Sequence, residues 1–203
     1  MRLGHLIITF ACIANLGLAG DPPCCRAPLA LGQPTDRSIY LLDSQWTSDV
    51  GKTIRLNVFR GRAQVVGLFF THCEYACPIV LEDMKRIERA LPEDQRDKVD
   101  FLLISLDAER DTPAVLHEFR DRRKLGTDHW SLLHGRDDDV REIAALLGIN
   151  FRKDERGQFA HSNVITLLNA EGEVVHQQPG LNQSPEFILD ALRRSRTPAT
   201  GPK

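Results

Sequence analysis

Neither a basic excess nor a long block of like charge occurs in this chain: 26 Lys and Arg stand against 28 Asp and Glu, a formal net charge of −2 over 203 residues. That balance argues against a nucleic-acid surface, which needs a concentrated basic patch. Internal repeats and low-complexity tracts are also absent. What remains, at 42% hydrophobic, is a chain long enough for one domain with a proper core, plus tails. The chain also lacks, at its N-terminus, an apolar run long enough to span a bilayer. Leu6–Leu18 counts 13 residues, against the roughly 20 that a span needs. The run follows Arg2 and ends on Gly17-Leu18-Ala19, small residues suited to signal peptidase. Residues 1–19 are therefore expected to be a signal peptide cleaved after Ala19, with a retained membrane anchor as the alternative. Export to the periplasm is the expectation either way. A lipoprotein is the weaker rival, because Cys12 has too little apolar sequence ahead of it.

Cysteine is scarce too. Loss of the signal would leave Cys24, Cys25, Cys73 and Cys77. An oxidising compartment permits disulfides, but a core of this size does not need one. Closing the short Cys73–Cys77 loop would constrain the unfolded chain little. The vicinal pair Cys24-Cys25 sits in the Pro-rich stretch 20–37, read as a linker. A pair in such a tail is more often incidental than functional.

From Ser38 onward the elements become legible. "SIYLL" and "KTIRLNVF" flank the turn-like "SDVGK" and predict an N-terminal β-hairpin. "AQVVGLFF" and "VDFLLISLD" are continuous apolar runs, the mark of strands buried on both faces. Val80, Met84, Ile87 and Leu91 recur at helical spacing after Pro78. Thr112-Pro113 supplies an N-cap and a first helical residue for a helix stopped by Gly126. A strand "WSLLHG", a helix "DDVREIAALLG", a hairpin "SNVITLLNAEGEVVHQ" and a last helix "SPEFILDALRRS" complete the order. The alternation predicts a three-layer α/β domain over residues 38–195, its central strands parallel, with a disordered tail at 196–203.

The loop between the first buried strand and the first long helix reads Thr71-His72-Cys73-Glu74-Tyr75-Ala76-Cys77-Pro78. Open α/β sheets place their sites at the carboxyl ends of such strands. Pro78 predicts that the helix starts there, with Cys73 in the loop ahead of it. A thiol near a helix N-terminus is favoured as thiolate, which is both the nucleophile of disulfide exchange and a soft metal ligand. Two intervening residues would be the usual redox spacing; three suit either a disulfide or two sulfurs gripping one ion. Two sulfurs are an incomplete zinc site and a plausible start for copper(I) completed by an imidazole. Of the histidines, His72 points away as a neighbour of Cys73, and His117, His129, His134 and His176 read as ordinary solvated or hydrogen-bonded side chains. His161, just before the last hairpin, sits in a loop that can face the cysteines, with an ordinary loop histidine as the alternative.

Three ordered motifs, "CEYACP", "SLDAERDTP" and "AHSNVITLLNAEGEVV", resemble the Sco/SenC family of exported, thioredoxin-like copper proteins over about residues 38–195. The resemblance implies copper held by Cys73, Cys77 and His161. It also implies delivery to the binuclear copper centre in the copper-bearing subunit of cytochrome c oxidase, with a thioredoxin-like reductant as a second partner. Asp107 and Asp111 match the family's acidic segment as supporting residues, although a strand end and a helix cap explain both without copper. Two departures stand out: Ala108 replaces a frequent proline, and Ala160 replaces an aspartate that would orient the imidazole. The reading is a copper chaperone with a redox-active dithiol. Its rivals are a thiol–disulfide oxidoreductase, with no need of His161 as a ligand, and a redox or copper sensor.

Overall fold

A computed structural model describes residues 32–196, so the expected signal peptide, Cys24, Cys25 and the tail beyond 196 lie outside the described residues. Seven strands make one mixed sheet: β1 (Trp46–Ser48), β2 (Thr53–Ile54), β3 (Ala63–Phe69), β4 (Val99–Ser105), β5 (Trp130–His134), β8 (Val164–Leu168) and β9 (Val174–Pro179), in the order β2-β1-β5-β4-β3-β8-β9. Among the described residues, the two remaining strands, β6 (Phe151–Lys153) and β7 (Phe159–His161), pair only with each other. β3, β4 and β5 run parallel, with Val65 opposite Phe101 and Phe101 opposite Trp130. β8 is antiparallel to β3, with Val66 opposite Thr166.

The continuous apolar runs of β3 and β4 have the cause the sequence predicts: both faces are covered. Along β4, Phe101 and Leu103 enter one core cluster and Leu102 and Ile104 the other, as the two-residue period of a strand requires. The first cluster is closed by helices α1 (Ala76–Ala90), α3 (Pro113–Arg123) and α5 (Glu186–Arg196), through Met84, Ile87, Leu116 and Ile188. The second is closed by α4 (Asp137–Leu146), through Val140 and Ile143, together with Ile39 and Trp46. A four-residue helix, α2 (Glu93–Arg96), which the sequence pattern did not predict, links α1 to β4. This is the thioredoxin-like, three-layer α/β fold with a small N-terminal hairpin.

Four local expectations are corrected. "SIYLL" does not form a strand: Ile39–Leu41 is a 3-10 turn whose cap, the Ser38 hydroxyl, accepts from the Tyr40 amide. Leu56–Phe59 is a second 3-10 turn, so the N-terminal hairpin is only β1 with β2 around Asp49–Gly51. α3 ends at Arg123, and Lys124, whose φ of 54° places it in the left-handed region, caps it ahead of Gly126. α1 begins at Ala76, placing Cys77 inside its first turn rather than before it. Pro78 is tolerated there because first-turn amides have no partner within the helix.

Candidate metal centre

β3 ends in the core at Phe69, and the chain turns at once: the Cys73 amide donates to the Phe70 carbonyl at 3.2 Å. What fixes this turn is Asp111, fully buried in the loop after β4. Its carboxylate accepts from the Thr71 amide (2.9 Å), the Thr71 hydroxyl (2.5 Å) and the Ser105 hydroxyl (2.6 Å). A buried carboxylate is stable only with such partners, and these three tie the carboxyl ends of β3 and β4 together. Asp111 therefore shapes the cysteine loop.

Two thiols with unlike surroundings result. Cys73 is half-buried, and the Cys77 amide, at the start of α1, points at its sulfur from 3.4 Å. Burial works against ionisation of Cys73. Hydrogen bonds from the Cys77 amide and thiol and from the Tyr75 and Ala76 amides outweigh it, and the thiol lies below its ordinary pKa. Cys77 is 5% exposed; burial, with smaller contributions from Cys73 and Asp111, pushes its thiol well up. No bond joins the two sulfurs.

His161 ends β7, opposite Phe151 of β6. Its Nδ1 stands 3.1 Å from the Ser162 carbonyl, which can only accept, so Nδ1 carries the proton and Nε2 offers a lone pair. That Nε2 lies 3.9 Å from Cys77 Sγ, across 84 positions of sequence. Burial lowers the imidazole's pKa and so favours its neutral form, against the smaller opposing effect of the Ser162 carbonyl. Phe70 and the imidazole meet in a T-shaped arrangement, 6.4 Å between ring centres, and Phe159 packs on Phe70 at 5.1 Å. Cys73 and His161 open onto a cleft of about 530 Å³ that Tyr75, 83% exposed, also lines.

The three expected ligands are thus gathered at one place, though among the described residues no three Cys, His, Asp or Glu side chains yet surround a single point. Two sulfurs and one neutral imidazole nitrogen are a donor set for copper(I). Asp107 is drawn elsewhere: its carboxylate is taken up by Arg110 and faces Lys153 at 3.7 Å. His72 turns to the Thr71 hydroxyl (3.0 Å), His117 lies 3.7 Å from Asp49, His129 contacts Arg62 and Asp100, and His134 contacts the Asp111 carbonyl. The aromatic wall of Phe70 and Phe159 was not anticipated. Its signal in the sequence was a phenylalanine two residues before His161 and another three before Cys73.

The SCO1/SenC family model matches residues 35–196. The chain belongs to the SCO1/SenC family. Among relatives, the SCO1 protein homolog of Bacillus subtilis is 26% identical over 151 residues, covering 72% of this chain and 78% of that protein. The solved structure of a SCO1/SenC family lipoprotein from Bacillus anthracis is 25% identical, with a TM-score of 0.69 over 83% of this chain and all of that one. Bradyrhizobium japonicum ScoI, solved with copper bound, is 26% identical, with a TM-score of 0.61 over 81% of this chain and 99% of that one.

Proposed function

We propose that this SCO1/SenC protein is a copper chaperone in which Cys73 and Cys77, as thiolates, and His161, through Nε2, hold one copper ion for transfer. The observation that carries the reading is the approach of the His161 ring nitrogen to 3.9 Å from Cys77 Sγ. The lone pair of that nitrogen faces the sulfur, where it can accept from the Cys77 thiol in the metal-free chain and join the sulfur on a metal ion. Copper binding by the similar Bradyrhizobium protein supports the choice of metal. Copper(I) takes the two sulfurs and one nitrogen; copper(II) calls for a further oxygen or nitrogen. The open cleft lets an acceptor compete for the ion, and the acceptor is the copper-bearing subunit of cytochrome c oxidase.

The same dithiol is a redox switch. Cys73 thiolate attacks a disulfide of another exported protein, and Cys77 displaces that protein's thiol from the mixed disulfide. Two electrons pass to the partner and a Cys73–Cys77 disulfide remains, unable to bind copper; a thioredoxin-like dithiol returns the electrons. Export directed by residues 1–19, cleaved after Ala19 or retained as an anchor, completes the reading. Among the described residues no helix is long and apolar enough to cross a membrane.

The test is copper titration of the reduced chain and of His161→Ala, both with Cys12, Cys24 and Cys25 replaced by serine so that stoichiometry reports the loop. One equivalent bound, with His161→Ala weakened about tenfold or more and its sulfur-to-copper(II) absorption altered, is the expected result. Binding indifferent to His161 overturns it. That result would move the reading to a thiol–disulfide oxidoreductase, which the unequal thiols also favour; reduction of a small-molecule disulfide that survives loss of His161 is its mark.

A further inference from the structure

The β6–β7 hairpin delivers His161 and packs Phe151 and Phe159 against the core, but no strand of the main sheet pairs with it among the described residues. Its strands have three residues each and, among the described residues, pair only with one another. A two-stranded hairpin in water is marginal by itself, so its anchors decide where the imidazole sits.

Those anchors include a charge cluster on the loop after β4. The Arg110 guanidinium is forked: Nε donates to Asp107 Oδ2, and Nη2 donates to the carbonyl of Gly157 in the hairpin turn, 47 positions away. Asp107 is 1% exposed and fixed in turn, its amide donating to the Ser105 hydroxyl at 3.0 Å. From the hairpin side, Lys153 Nζ lies 3.7 Å from Asp107 Oδ1 and 2.8 Å from Glu109 Oε2. The same ammonium stands 5.6 Å from the ring centre of Phe159, the residue packed on Phe70. The turn is shaped to receive the arginine. Gly157 has φ +74°, and a Cβ there would lie 3.2 Å from Arg110 Nη1.

We infer that Arg110 and Lys153 are positioning residues that latch the β6–β7 hairpin onto the loop after β4, and so hold His161 beside Cys77. The latch rests on the copper reading of the site, and neither side chain needs to touch the metal. Arg110 is the stronger half, because its planar fork bridges a buried carboxylate and a carbonyl at once. Lys153 pairs partly with the exposed Glu109, an arrangement worth little.

The experiment uses the full reduced chain carrying Arg110→Ala, Arg110→Lys or Lys153→Met. Amide hydrogen exchange of residues 151–161, measured without metal, is expected to quicken about tenfold in Arg110→Ala, less in Lys153→Met, with the β3 and β4 amides unchanged. Copper affinity is then measured by chelator competition in a double-mutant cycle with His161→Ala. Arg110→Ala is expected to weaken binding about threefold to tenfold when His161 is present and not when it is absent. Arg110→Lys, which keeps the pair with Asp107 but loses the fork, is expected to fall between. Unchanged hairpin exchange, or an equal loss of affinity in both backgrounds, overturns the latch. Indifference of copper affinity to His161→Ala itself counts against the copper reading, whereas the metal-free exchange data bear on the hairpin independently of copper.

Discussion

Cys73 and Cys77 lie four positions apart and meet opposite conditions. The first is half-exposed with amides aimed at its sulfur; the second is buried in the first turn of α1. Thiolate is the reactive form, and Cys73 ionises below the ordinary thiol range while Cys77 ionises above it. Iodoacetamide at pH 7 is therefore expected to label Cys73 at least about tenfold faster than Cys77. Its rate should rise with pH and level off at a lower pH than that of a free thiol. Mass spectrometry of timed digests, with Cys73→Ser as control, reads this directly; equal rates would show that the helix amides do not favour the Cys73 thiolate. At this scale much of the site was legible. The cysteine loop declares itself by its position after a buried strand, and His161 by its motif. Arg110 and Lys153 were not legible: one partner is the backbone carbonyl of Gly157, which carries no residue-type signal, and the hairpin that presents it is a mostly polar segment, "FRKDERGQFAH".

Among the elements, apolar periodicity predicted best where both faces of a strand or one stripe of a helix are buried, as in β3, β4 and α1. It failed at the N-terminal edge. Ile39, Tyr40 and Leu56 are buried there, but 3-10 turns rather than strand pairing bury them, and a short apolar run does not distinguish the two. The small β1–β2 hairpin is held to α3 by an ion pair that no periodicity reveals. Asp49 and Arg120 side chains are 2% and 5% exposed, Arg120 Nη2 meets Asp49 Oδ1 at 2.8 Å, and the guanidinium also donates to the carbonyls of Gly126 and Trp130. Burial by itself would raise the Asp49 pKa; the hydrogen bonds and charge of Arg120 outweigh it and hold the carboxyl below its ordinary value. A depressed folded pKa contributes stability above the unfolded pKa of about 3.9, lost as pH falls through the folded value. Asp49→Asn strands the arginine and is expected to lose about 3–5 kcal/mol at pH 7. That gap should narrow as urea unfolding is repeated toward pH 3; a gap constant with pH would mean that the charge pair is not the cause. Gly135, just after β5, gives a second test at this scale. A Cβ there would sit 2.4 Å from the ring of the fully buried Trp46. Gly135→Ala is expected to cost about 1–3 kcal/mol, and Trp46→Phe in the same background should return part of it.

At the scale of the whole molecule, metal binding and folding are one equilibrium. A ligand that binds only the folded chain adds about 4.1 kcal/mol of stability at a thousandfold excess over its Kd. For a domain of this size each kcal/mol moves Tm by roughly 2–4 °C. Copper(I) in such excess should then raise the Tm of the reduced chain by up to about 8–16 °C. Unfolded cysteines also bind copper, which reduces the shift, so absolute values do not isolate the site. The comparison that does is reduced native chain against reduced His161→Ala. Both hold the same thiols when unfolded, and only the folded native chain sets an imidazole beside Cys77. A copper-induced rise several degrees larger in the native chain, absent once the Cys73–Cys77 disulfide is formed, is the expected calorimetric result. Equal rises in the two reduced proteins would mean that the copper is held by sulfur alone. The approach of the hairpin to the cysteine loop would then serve packing around Phe70 and not the metal.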